Sequence, residues 1–196
     1  MIVAIARHEL LHQRARLVFW LTLAVGQLLV AWLAFAQFET FADIAPQLKA
    51  GGSRLDATRL VIVPTLNSLV LLLVFTIPLL AMGSIAGERR SGRLDAWLAS
   101  PVPSARIVLG KLLGLWWSSL PLLATTLLTL AALGWGVTVD WPLFIAAATG
   151  LLLFSLWLCA VCLLISSWFD HPGAALAASL GILPVSYTHL RAHETS

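Results

Sequence analysis

Leu60–Gly87 reads LVIVPTLNSLVLLLVFTIPLLAMGSIAG, an unbroken run without Asp, Glu, Lys or Arg. A helix needs about 20 such residues to cross about 30 Å of hydrocarbon, so this stretch is long enough to span a membrane. Pro64 and Pro78 lie within it. Each removes a backbone donor and is expected to kink the helix rather than end it. Working outward, Leu17–Gln37, Leu112–Leu133 and Pro142–Trp168 are also free of charge. A fifth apolar run begins at Gly173, after a tight turn at Asp170-His171-Pro172, and loses its character near Val185. The reading is an all-α polytopic membrane protein with four complete spans and a shortened fifth.

Composition agrees. Of 196 residues, 60% are hydrophobic and 11% charged, with a mean hydropathy of +0.93. Water-soluble domains carry about 25% charged residues, so an ordinary soluble fold is excluded, as are a disordered chain and a disulfide-stapled module. The formal charge of +3 is too small to suggest a nucleic-acid partner. Leu17–Gln37 is read as a span and not a cleaved leader. It is longer than the roughly 7–15 apolar residues of a signal core, although Ala34-Phe35-Ala36 mimics a cleavage site.

Charge in the connecting segments sets the expected orientation. Arg7, Arg14, Arg16, Arg89, Arg90, Arg93, Arg106 and Lys111 fall on one side, against Lys49, Arg54 and Arg59 on the other. Basic segments stay in the cytoplasm, which places the N-terminus inside. Trp20, Trp116, Trp117 and Trp168 then fall at cytoplasmic ends and Trp32, Trp135 and Trp141 at outer ends, depths that indoles favour.

Ser186–Ser196 holds the only tyrosine and two of the five histidines. Val185–Thr195 looks like a translated sequencing adapter, so 1–185 is read as the natural domain and 186–196 as a non-native tail. The four spans contain only neutral polar groups, such as Gln27, Asn67 and Thr125, whereas ion-coupled transporters place ionisable residues there. A G-x-x-x-x-G-K-[ST] phosphate loop is absent from the sequence. A transporter of this kind takes its energy from another subunit, and no cofactor of its own is expected.

Between the second and third spans, Leu94, Trp97 and Leu98 share one helical face. Pro101 and Pro103 end that short helix, and Ser104 is the expected cap of the next. Gly83-x-x-x-Gly87 and Gly110-x-x-x-Gly114 permit close helix packing or a dimer contact. His8-Glu9-x-x-His12 matches a zinc-protease motif, the alternative function, but a catalytic zinc needs a third protein ligand, and the nearest candidates, Asp170 and His171, sit in a separate short loop with no supporting motif. Cys159-x-x-Cys162 lies in a span and reads as apolar packing. A non-transporting membrane assembly protein is a further class.

Glu88-Arg89-Arg90, Gly92, the Leu94–Leu98 helix, Ser100-Pro101 and Ile107-Val108-Leu109-Gly110-Lys111 together resemble the loop of type-2 ATP-binding-cassette (ABC) permeases. Ala6-Arg7-His8-Glu9-Leu10 and Ile165-Ser166-Ser167-Trp168-Phe169 extend the resemblance, which is closest to the gliding-motility and nitrous-oxide-pathway branch. Gly92-Arg93 departs from the Gly-Thr common there. The resemblance implies a six-span fold and an exporter of a prokaryotic cell membrane. It also implies a second permease subunit, and a cytoplasmic ATPase subunit that binds the ATP. Glu88, Arg89, Arg90, Gly92, Leu94, Trp97 and Leu98 would form the docking loop for that ATPase.

Overall fold

A computed structural model describes residues 1–50, 58–99, 101–132 and 138–194; the side chains of 45–50, 96, 98 and 184–194 fall outside the description. Arg54, Ser100 and Trp135, all used in the sequence reading, lie outside the described residues. The chain is all-α, with no strand among the described residues. α1 is Ile2–Arg14, α2 is Leu17–Ala50, α3 is Val63–Ala81 after a π-helical turn at Thr58–Ile62, α4 is Ala86–Arg90 and α5 is Arg93–Leu98. α6 is Ser104–Ala132, α7 is Trp141–Trp168 and α8 is Pro172–Glu194.

Four stretches are long and apolar enough to cross a membrane: Leu17–Ile44, Thr58–Arg90, Ser104–Ala132 and Trp141–Trp168. Each contains most of one charge-free run, because length and hydropathy are what a bilayer selects. Three extend past it to take in Glu39 and Asp43, Arg59 and Glu88–Arg90, and Arg106 and Lys111. This is a multi-pass membrane protein. α3 passes through Pro78 as expected, since the bond lost at the ring leaves the rest of the helix ladder in place. Pro172 opens α8, where a missing N–H costs nothing. α8 continues through Glu194, along the segment read as a tail, while its apolar part covers Pro172–Leu183.

The start of α6 differs from expectation by one residue. The amides of Arg106 and Ile107 both bond to the Pro103 carbonyl, so Pro103, not Ser104, occupies the capping position. Proline serves there because a cap needs a carbonyl acceptor and no amide donor.

The chain divides into two compact units. One comprises Met1–Thr22, Leu73–Ser119 and Ser155–Ser196, with Phe19, Leu73, Ile77, Leu80, Leu115 and Leu158 buried at its centre. The other comprises Leu23–Leu72 and Leu120–Phe154, with Ile62, Leu69, Leu122, Leu123 and Leu130 buried. In this second unit Gly26 lets α2 approach Leu72 and Leu122; a Cβ there would already touch both at 3.5 Å. Gln27 accepts a 2.7 Å hydrogen bond from Thr125, the neutral inter-helix link expected of polar residues in spans.

Candidate functional site

The loop between the second and third spans lies in the first unit, and its two short helices have local causes. α3 ends at Ala81 and the chain turns through Met82–Ile85 before α4 begins. α4 ends at Arg90. Gly92 then takes φ +70°, the left-handed region that only glycine enters without a Cβ penalty, and starts α5 in a new direction.

A helix broken near a membrane must satisfy its freed backbone groups from elsewhere. Three side chains do so. Gln13 Nε2 of α1 donates to the Leu80 carbonyl at 3.0 Å, and Lys111 Nζ of α6 donates to the Ser84 carbonyl at 2.9 Å. The Ser166 hydroxyl of α7 accepts from the Ala86 amide at 3.2 Å.

These groups belong to a buried charged cluster. Lys111 donates to Glu9 Oε2 at 3.1 Å and stands 2.8 Å from Glu88 Oε2, with both carboxylates and the amine 3–5% exposed. The Glu88 contact lacks hydrogen-bond alignment and is a contact of charges. Ser84 donates to Glu9 Oε1 at 2.8 Å, and Gln13 reaches the same oxygen at 3.3 Å. In a dry environment such ions persist only as neighbours.

α1 is seated against α6 by the second glycine pair. A Cβ on Gly110 would fall 2.6 Å from Ile5 Cγ2, and one on Gly114 would fall 2.6 Å from Glu9 Cβ and 2.8 Å from the Ala6 carbonyl. The groove is thus filled within the chain by the buried face of α1 (Ile5, Ala6, Glu9 and Gln13). The first pair works differently. Gly83 makes room for the Arg16 guanidinium, whereas a Cβ on Gly87 would meet only Pro172, at an ordinary contact distance of 3.8 Å.

The adjacent face of α1 meets α5. His8 packs edge-on to Trp97 with ring centroids 5.8 Å apart, and Arg93 Nη2 approaches His12 Nε2 at 3.4 Å. A guanidinium has no acceptor, so that imidazole nitrogen must be unprotonated. Burial, followed by the charge of Arg93, holds the His12 pKa below its ordinary 6.5; Arg16 adds to this while Glu9 and Glu88 oppose it.

The residues read as a docking loop therefore separate. Glu88 is buried and paired, away from the loop exterior. Arg89 is exposed and bonded to Asp170 at 3.1 Å, and Arg90 is exposed. Leu94 and Trp97 are half-buried; the side chain of Leu98 is outside the described residues. Trp116, placed at a headgroup depth from sequence, is half-buried and donates to Ser155 at 3.0 Å. Its indole proton needs an acceptor, and α7 supplies one.

The histidine motif is split across α1. Glu9 is engaged by Lys111 and Ser84, while His8 and His12 turn to α5, and no group of three metal-ligand side chains occurs among the described residues. That geometry lends the metalloprotease alternative no support. Cys159 and Cys162 are buried free thiols. Sequence reading misses the cluster itself. It presents Glu9 as a base and Lys111 as the end of a motif, and it singles out neither Gln13 nor Ser84. The available signal is that Glu9 and Gln13 lie in register with Ile5 on one helical face.

The family model described as ABC-2 family transporter protein matches residues 3–189. No curated protein matches the chain.

Proposed function

The chain belongs to the ABC-2 transporter family and is a transmembrane permease component rather than an enzyme, and from that premise we propose that it serves an ATP-driven exporter. Two permease subunits, this chain and a second copy or homologue, work with cytoplasmic ATPase subunits in the lipid of a prokaryotic cell membrane. The N-terminus lies on the cytoplasmic side. The ATPase binds the nucleotide and engages residues 88–100, and its closure pushes α5 so that the spans open alternately to each side.

The observation that supports this reading is the construction of the loop. α5 exposes Arg93 and Asp95, while the base of the loop is fastened by buried Lys111 and Glu88. A short helix carried on a base fastened to the neighbouring helices is suited to receive a push and pass it on. Leu94, Trp97 and Leu98 supply the docking face, Arg89 and Arg90 orient the partner by charge, and Gly92 sets the entry angle of α5. Co-purification tests it. An ATPase subunit should accompany the native permease and be lost on Trp97→Ala with Leu98→Ala; retention at native stoichiometry would refute docking through α5.

A further inference from the structure

The break at Met82–Ile85 and the charges around it form one device. Lys111 Nζ lies within 3.1 Å of oxygens on three separate segments: the Ser84 carbonyl in the break, Glu88 on α4 just beyond it, and Glu9 on α1. We infer that Lys111 is a positioning residue that makes Met82–Ile85 a hinge and passes the movement of the loop to α1. This rests on the proposal that an ATPase drives the loop.

The physical argument has two parts. Bending concentrates where the helix ladder is already interrupted, and here the freed groups are held by side chains and not by the helix itself. Pulling Glu88 away from Lys111 would strand a carboxylate in a dry site, which is strongly unfavourable. α4, Lys111 and Glu9 consequently move together. α1 receives the same stroke a second time through Trp97 on His8 and Arg93 on His12. Its seat in the Gly110–Gly114 groove leaves no slack to absorb the motion.

Hydrogen–deuterium exchange on the permease–ATPase complex in nanodiscs, with and without ATP plus vanadate, separates this role from simple structural support. In the native complex, ATP should alter exchange in α5 and in α1 together. In Lys111→Met, and in Glu88→Gln, which leaves the Lys111 bonds to Glu9 and Ser84 intact, the response should persist in α5 and fall in α1 to the part carried by Trp97 on His8 and Arg93 on His12. Phe19→Ala, at a buried site of the same unit outside the cluster, should lower thermal stability yet keep the α1 response. A native-sized α1 response in Glu88→Gln would overturn the inference even if Lys111→Met failed to fold. Equal loss of that response in Phe19→Ala would overturn it too. If ATP altered neither helix in the native complex, the ATPase-driven reading would itself fall and take this inference with it.

Discussion

Lys111 Nζ lies 2.8 Å from Glu88 Oε2, so the two ends of the loop that carries α5 are joined by a buried ion pair. Removing the amine leaves two carboxylates, Glu9 and Glu88, without a counter-charge. Lys111→Met should therefore cost about 3–5 kcal/mol of stability, the usual penalty for orphaning a buried partner. Glu9→Gln should cost less, because one carboxylate and one amine remain. Thermal unfolding of the purified variants in detergent checks the order.

The glycine groove predicts a steric effect of a different kind. Gly114→Ala places a methyl 2.8 Å from the Ala6 backbone carbonyl, which cannot rotate away. Overpacking of this sort costs about 1–3 kcal/mol and should raise amide exchange along α1. At Gly150 a Cβ would find no atom within 4 Å, so alanine should be accepted there without loss. Equal effects at the two sites would contradict the assigned seat.

His12 gives a pH dependence with a definite sign. Its pKa is held below 6.5 in the folded chain, first by burial and then by Arg93, so acidification protonates the unfolded chain first. The stability contributed by neutral His12 is complete above pH 6.5 and is lost as pH falls toward the lowered folded value. His12→Gln should flatten this part of the profile, read as thermal midpoint against pH.

Arg89 and Asp170 form an ion pair of the opposite character, with side chains 41% and 76% exposed. Water and salt screen it, so Asp170→Asn should change stability by less than about 1 kcal/mol. A larger loss would mean that this pair is shielded in the working assembly.

Trp97 touches His8, which complicates any docking test but also supplies a control. His8→Ala removes the ring contact on α1 and leaves the indole in place. ATPase capture should survive His8→Ala and fail in the Trp97→Ala, Leu98→Ala double variant. Parallel losses would show that Trp97 acts by placing α5.

Much of the fold is legible because a bilayer imposes simple demands. The four spans follow from uninterrupted apolar length, and α5 from the spacing of Leu94, Trp97 and Leu98. Gly92 is legible as part of the loop motif, though not as the residue that redirects the chain into α5 at positive φ. The buried cluster is not legible. Glu9 and Gln13 look like polar-face residues until Lys111, 102 positions beyond Glu9, is brought beside them. Nor does Pro78 mark the break in the second span. The helix tolerates the missing amide there and stops at Ala81, where side chains of three neighbouring helices take over the backbone bonds.

The seat of α1 imposes an order on biosynthesis. α1 leaves the ribosome before α6, and the groove and the lysine that receive it are encoded about 100 residues later. At about 5–20 residues per second, Glu9 waits roughly 5–20 s for Lys111 to be made. During that interval the helix has no groove in which to hide its carboxylate. An amphipathic segment rimmed by Arg7, Arg14 and Arg16 can rest on the anionic membrane surface meanwhile. Nascent chains stalled before Gly110 should hold α1 at the lipid headgroups, and those stalled after α6 has been inserted should hold it docked.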